Sequence, residues 1–299
     1  MGPAGGKVNT RRWDREGLQG GGIPGPARGP GHLLWAAMLA CCVLWAGIPL
    51  AQAADGPGQE LAQRVYDRPD GEDVTTRGTM ILQEAGRDPR VRRMVTYQRD
   101  LAAGETHSLI RFTAPADIAG TGLLTLDHAD GSSDQWIYLS ALDRNRRIPS
   151  ARRGGRFVGS DLYFEDLQDR RPDEDRHRLL GEDEIEGVAT LKLESVPVDP
   201  GESAYARRVS WIHEPSLIPL RIDFYLPGRE ETPAKRLQVH RIERIQGYWT
   251  VMDSTMTDLD SGHRTRMTAE EVTYDRDLPE ALFTPRALSD PEMESRYRP

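Results

Sequence analysis

The sequence predicts a mainly β chain: one antiparallel meander curled over a core, with a few short helices. Three observations predict it. From Val74 onward, strand-like runs of similar length follow one another, with turn chemistry about every 10–14 residues. Within the runs, apolar and polar residues alternate. Ile222, Phe224 and Leu226 alternate with Arg221, Asp223 and Tyr225, and Val209 and Trp211 with Arg208, Ser210 and Ile212. One apolar face and one mixed face suit a sheet curled over a core rather than one buried on both sides. Finally, both cysteines, Cys41 and Cys42, lie in an N-terminal leader, so the rest of the chain must hold together through its own core.

The leader occupies residues 1–54. Residues 1–30 are rich in Gly, Pro and Arg, and residues 33–50 are almost wholly apolar. Ala51-Gln52-Ala53 then offers the small-x-small pattern of a signal-peptidase site. Export with cleavage near Ala53 or Ala54 is expected, which places the protein in the periplasm. The apolar run is also close to the minimum for spanning a bilayer, so the alternative is a membrane tether, by an uncleaved anchor or as a lipoprotein. Met38-Leu39-Ala40-Cys41 faintly resembles a lipobox, but the apolar run continues past the cysteine. The twin arginine at Arg11-Arg12 lies far upstream of that run. Of 39 basic and 47 acidic residues, five and two fall in the leader, leaving 34 and 45, a net charge of −11. That balance argues against nucleic acid as a partner.

Residues 55–289 are expected to form a single β domain, followed by a polar tail at 290–299. Residues 58–68 place Leu61 and Val65 on one helical face, and Pro69 ends the helix. Strands are expected near 74–83, 91–97, 105–113, 123–126 and 136–139, with Asp130-Gly131 as a hairpin turn. An arginine-dense segment, Arg144 to Arg156, reads as a loop, and Asp161 to Leu167 as a short helix or capped turn with Asp161 as N-cap. Charged residues 169–178 read as a solvated connector. Seven runs follow at 179–185, 189–197, 204–213, 217–226, 234–245, 249–259 and 263–274, then a helical turn at 278–283. So wide a meander tends to curl or close to remove its edges, and a barrel of more than about eight strands leaves interior space.

No catalytic or metal-binding set is recognisable. His107, His128, His177, His213, His240 and His263 lie in six separate segments without a ligand pattern. Gly159-Ser160-Asp161 is not a nucleophile elbow, and Gly120-Thr121-Gly122 is too short for a phosphate loop and reads as a turn or bulge. Asp70 to Asp73 and Asp173 to Asp175 lack the spacing of a calcium loop. No enzyme activity, cofactor or metal is expected. The arginines Arg144, Arg146, Arg147, Arg152, Arg153 and Arg156 form a basic rim that either meets phosphate head groups or an acidic partner, or pairs with the chain's own carboxylates. Phe112, Leu124, Trp136, Tyr138, Phe157, Phe164, Trp211 and Phe224 are the candidates for lining a cavity or its mouth.

These segments also carry a resemblance. Arg111-Phe112-x-x-Pro115-x-Asp117-Ile118-x-Gly120-Thr121-Gly122-Leu123-Leu124 is followed by Trp136-Ile137-Tyr138, Arg146-Arg147-Ile148, Gly159-Ser160-Asp161 and Glu165-Asp166-Leu167. This order resembles the outer-membrane lipoprotein-sorting proteins of the LolA-like superfamily, and within it the branch often encoded beside RND/MMPL-type exporters. Leu278-Pro279-x-x-Leu282-Phe283-Thr284 fits the same pattern, and Ser140 stands where the family often has proline. The resemblance implies a curled, incompletely closed antiparallel barrel of about eleven strands, with short helices covering its mouth and an apolar cavity for acyl chains. The function it implies is a monomeric carrier of lipid or acylated lipoprotein between envelope membranes, with an RND/MMPL-type transporter as partner. A sensor that binds acyl chains and signals to a membrane partner, and an envelope hydrolase, are the other readings. Burying a 16-carbon chain is worth up to ~13 kcal/mol at ~0.8 kcal/mol per methylene. A carrier that must release its cargo is therefore expected to open, with the 59–68 helix and residues 157–167 as moving parts.

Overall fold

A computed structural model describes residues 56–101 and 104–298. The leader, its apolar run, the cleavage site and both cysteines lie outside the described residues. After helix α1 (Pro57–Tyr66) come β1 (Asp73–Gln83), β2 (Arg90–Leu101), β3 (Glu105–Ala114), β4 (Gly122–Asp127), β5 (Ser133–Leu139) and β6 (Arg144–Ile148). Residues 149–174 contain only short 3₁₀ turns. Then follow β7 (Asp175–Ile185), β8 (Val188–Pro197), β9 (Arg207–His213), β10 (Ile218–Tyr225), β11 (Lys235–Ile245), β12 (Tyr248–Asp258) and β13 (Arg264–Tyr274), with short helices α2 (Pro285–Leu288) and α3 (Glu292–Ser295).

All thirteen strands belong to one antiparallel sheet in the order β6-β5-β4-β3-β2-β1-β13-β12-β11-β10-β9-β8-β7. The sheet is not closed: β6 and β7, consecutive in the chain, are its two edges. The twelve runs expected from the sequence all appear, against the eleven or so strands that the family resemblance implies, and the thirteenth, not foreseen, is β6. Its sequence, Arg-Asn-Arg-Arg-Ile, has no apolar alternation because it is an edge strand wet on both sides. The sheet curls strongly. Ser108 and Ile110 of β3 and Leu193 and Ser195 of β8 line the same cavity. In a flat sheet these strands, eight positions apart, would be roughly 38 Å from each other.

Alternation decides what each face carries. On β3, Phe112 joins the concave-side core with Met80, Met94 and Leu123, whereas Leu109 joins Val95, Tyr97 and Leu124 on the convex side. The C-terminal segment covers that convex cluster with Leu278, Leu282, Phe283 and Leu288. Helix α1 sits against the β7 end of the sheet, where Leu61 and Ala62 pack with Leu193 and Ile212. Its backbone lies close on β7: a Cβ on Gly58 would stand 2.7 Å from the His177 carbonyl oxygen, so only glycine fits.

The expected polar tail at 290–299 includes a structural anchor. Glu294 of α3 is 1% exposed and grips the fully buried Arg111, whose Nε donates to Oε1 at 2.8 Å and Nη2 to Oε2 at 3.1 Å. The remaining guanidinium hydrogens reach the carbonyls of Gly120 at 2.5 Å and Leu288 at 2.7 Å. Gly122 leaves no room for a side chain, since a Cβ there would stand 2.8 Å from the Ile110 carbonyl oxygen and 3.0 Å from Arg111 Nη1. The Gly-Thr-Gly turn is thus the seat of a buried arginine. Removing one partner of a buried pair strands the other charge, which typically costs roughly 3–5 kcal/mol. Glu294→Ala is therefore expected to lower the urea-unfolding free energy by about that amount, and Arg111→Met with Glu294→Leu by much less. Equal losses in the two would contradict this account.

Candidate functional site: a trough on the concave face

Because β6 and β7 lie at opposite edges, residues 149–174 must cross the concave face to join them. Three buried carboxylates rivet this strap. The Asp161 carboxylate accepts from the Thr265 hydroxyl at 2.8 Å and from Arg156 at 3.0 Å, with the His263 ring Nδ1 2.6 Å away. Glu165 accepts from the Ser203 hydroxyl at 2.6 Å and the Ala204 amide at 2.5 Å. Asp166 accepts from Lys235 Nζ and the Tyr205 hydroxyl, each at 2.7 Å. Lys235 is 2% exposed, lies 3.6 Å from the Tyr163 ring centroid and donates to Tyr205 as well. Burial pulls its ammonium below the usual lysine value, opposed by Asp166. Asp161 is thus a crossing anchor rather than the N-cap expected. At Val158 the strap holds a β-branched residue at φ 43°, a strained conformation, with Arg92 donating to its carbonyl at 2.7 Å.

Between the strap, α1 and the sheet lies a trough of about 900 Å³. Val65, Ile110, Leu193, Ile212 and Ile222 give it apolar walls, and Asp70, Asp100, Asp127, Asp169, Arg68 and Arg171 a polar end. It runs into a second space of about 490 Å³, with Val74, Pro219 and Ile222 shared by both. The second space is walled by Leu162, Phe224, Leu237, Met256 and Met267. Such volumes, with apolar walls and a few convergent polar groups, are typical of small-molecule sites. Among the described residues no group of three or more His, Cys, Asp or Glu is placed to hold a metal. No helix among them is long and apolar enough to cross a membrane.

The candidate residues fall in three places. Phe112, Phe157, Phe164 and Phe224 meet in the concave-side core, with the Phe112 and Phe157 rings stacked at 5.7 Å, and of these Phe224 lines the trough's apolar end. Leu124, Trp136 and Tyr138 are on the convex face beneath the C-terminal segment. Trp211 also points away from the trough. Its indole N–H donates to Asp183 at 2.8 Å, and Arg221 and Lys192 lie over its ring at 4.3 and 4.7 Å. On β9 it is the mixed set Arg208, Ser210 and Ile212 that faces the cavity, because cation–π contacts cover the apolar set outside. Sequence reasoning took the more apolar set for the inner one.

The basic rim divides. Arg147 pairs with Asp134, Arg153 with Glu202 at 2.5 Å, and Arg156 with Asp161 and Asp258. Among the described residues Arg144, Arg146 and Arg152 have no carboxylate partner. The acidic end of the trough was not foreseen. Its signal lay in strand alternation, which sets Thr106, Ser108 and Ile110 on the trough side of β3. The single Thr106 hydroxyl lies between Asp100, at 3.1 Å, and Asp169, at 3.0 Å, and the Asp169 amide donates to Asp127 at 2.9 Å.

Burial, aided by the charges of Asp169 and Glu174, pushes the Asp127 carboxyl up to about 6 against the hydrogen bond from the Asp169 amide. Partial desolvation at the trough's polar end and the charge of Asp70 also push Asp100 up to about 6. Asp100 is open to solvent, which screens it, so the buried Asp127 is the group to follow. A carboxyl raised in the folded state favours that state when protonated; this contribution is complete below the ordinary carboxylate value and lost as pH rises through about 6. Urea unfolding should show this contribution growing from about pH 7.5 to about pH 5, and Asp127→Asn should flatten that part of the profile. An identical profile in the variant would contradict the assignment.

Comparisons with known proteins agree on the architecture. A family model described only as an uncharacterized protein matches residues 104–290. No curated protein matches the chain. A solved domain from Vibrio parahaemolyticus, provisionally described as an outer-membrane lipoprotein-sorting protein, is 29% identical, with TM-score 0.73 over 78% of this chain and 98% of that one. A DUF1329 family protein from Desulfovibrio piger is 30% identical, with TM-score 0.73 over 77% and 97% of the two chains. A LolA superfamily protein from Nitrosomonas europaea, at 16% identity and TM-score 0.60 over 77% and 98%, shares the fold. The chain belongs to the DUF1329 family and is built on the LolA-like fold.

Proposed function

We propose that the protein is an exported, non-catalytic carrier that shelters the acyl chains of a lipid or lipoprotein in the concave trough and passes them between envelope membranes. One observation carries this reading: an open sheet encloses a trough whose apolar reach, past Ile222 to Phe224, Met256 and Met267, continues from a charged end at Asp100, Asp127 and Arg171. An amphiphile has the same division. The lipoprotein-sorting description of the Vibrio parahaemolyticus relative supports it. So does the leader at residues 1–54, which would deliver the domain to the periplasm. Partnership with an RND/MMPL-type exporter belongs to the same reading and rests on the family resemblance.

Loading needs a door, and the two candidates differ in how they are held. The strap is fixed by buried carboxylates, and breaking such pairs is costly. Helix α1 is ten residues long, and its buried residues are only Gly58, Leu61 and Ala62. Helix α1 is therefore the part that moves.

Two outcomes test this. Ile222→Trp fills the passage between the two spaces and is expected to cut binding of a fluorescent fatty acid at least about tenfold, the effect of losing burial of roughly two methylenes. Its melting temperature should stay near that of the parent protein. Crosslinking α1 to β8 through Val65→Cys and Leu193→Cys should block uptake, and reduction should restore it. Undiminished binding in both variants would sink the carrier reading.

A further inference from the structure

The two edges of the sheet carry opposite charges. Edge strand β6 presents Arg144, Arg146 and Arg147, all exposed, in the five residues Arg-Asn-Arg-Arg-Ile. The other edge, β7, is overlaid by α1 along its first half, where Gly58 lies on residues 177–179. Beyond the bulge at Leu179/Gly181 it is open and reads Gly-Glu-Asp-Glu-Ile, with Glu182, Asp183 and Glu184 exposed. Asp183 is engaged by Trp211 and Lys192. Among the described residues Arg144, Arg146, Glu182 and Glu184 take part in no ion pair. Nor does the backbone of residues 144–148 or 181–185 bond to any strand other than β5 or β8, respectively.

Charges along an exposed edge ordinarily prevent pairing. Here each edge repels its own kind, but the two edges attract one another, and their faces match. Arg144 and Arg146 sit opposite Leu139 and Ile137 of β5, and Glu182 opposite Leu191 of β8, whose own partner is the trough residue Ile212. Strand alternation puts both arginines and both glutamates on the concave side. All neighbouring strands are antiparallel, so β6 and β7, twelve steps apart, run the same way, and a parallel register with Arg144 beside Glu182 and Arg146 beside Glu184 joins two sheets with their concave faces continuous.

We infer that copies of this protein associate head to tail, β6 of one along β7 of the next, through these arginine–glutamate pairs. This departs from the monomer expected from sequence. The contact is heterologous, so each copy keeps one basic and one acidic edge free and the chain of copies can extend. Five-residue edges make the association weak and reversible.

Charge exchange tests it, read by sedimentation velocity of the purified protein over a concentration series at low and high salt. The parent protein should show concentration-dependent association that weakens with salt. The variant Arg144→Glu, Arg146→Glu and the variant Glu182→Arg, Glu184→Arg should each raise the dissociation constant at least about tenfold, since both place like charges opposite one another. Mixing the two variants should restore association, because each then offers the edge the other needs. All substituted residues are exposed, so the melting temperatures should match. Three results would overturn the inference: a parent protein monomeric throughout, association that survives in both variants, or a mixture that fails to restore it. An acidic peptide bound along β6 by an otherwise monomeric parent would mean that this edge serves another protein.

Discussion

Two consecutive strands at opposite edges of one sheet impose the main constraint on this molecule. The chain from Ile148 to Asp175 has to cross the concave face, and a crossing there removes backbone and side-chain polar groups from water. The sequence meets that demand with partners supplied by the sheet. Thr265 and His263 hold Asp161, Ser203 and Ala204 hold Glu165, and Lys235 with Tyr205 holds Asp166. Each partner comes from a strand or loop far away in sequence. The strap can therefore be in place only when β9, β11 and β13 and the loop before β9 are in register.

The strap also divides the concave face. On one side Phe157 and Phe164 pack with Phe112 into a solid core. On the other side the sheet is left uncovered, and the space beneath α1 becomes the trough. The polar anchors to Thr265, Ser203 and Lys235 fix where the strap crosses the sheet, and with it the border of the trough. The trough's polar lining sets Asp70, Asp100, Asp127 and Asp169 beside Arg68, Arg171, Arg208 and His177.

Much of the fold was legible because its signals are local. Alternation, hairpin turns such as Asp130-Gly131 and the helical face of Leu61 and Val65 gave the meander, the N-terminal helix and twelve of the strands. Strand β6 was hidden because arginines guarding an edge look like a solvated loop. The first residues of β7 were hidden in the same way, within a charged stretch that read as a connector. The site was less legible. Alternation shows that Trp211 and Ile212 face opposite ways but cannot say which way is inward, and cation–π contacts from Arg221 and Lys192 let the tryptophan face outward. Arg111 and Glu294 gave no signal as a pair, since they lie far apart in sequence and meet only when the C-terminal segment folds back over the convex face. The family resemblance drew on the strap and the Gly-Thr-Gly turn, which the structure shows to be supports of the architecture.

The central claim is that the trough holds lipid. Native mass spectrometry of the protein isolated from the cell envelope under mild conditions tests it most directly. The account predicts species heavier than the bare chain by the mass of a lipid or acylated peptide, and their loss in Ile222→Trp. Bare protein alone in both samples would contradict it.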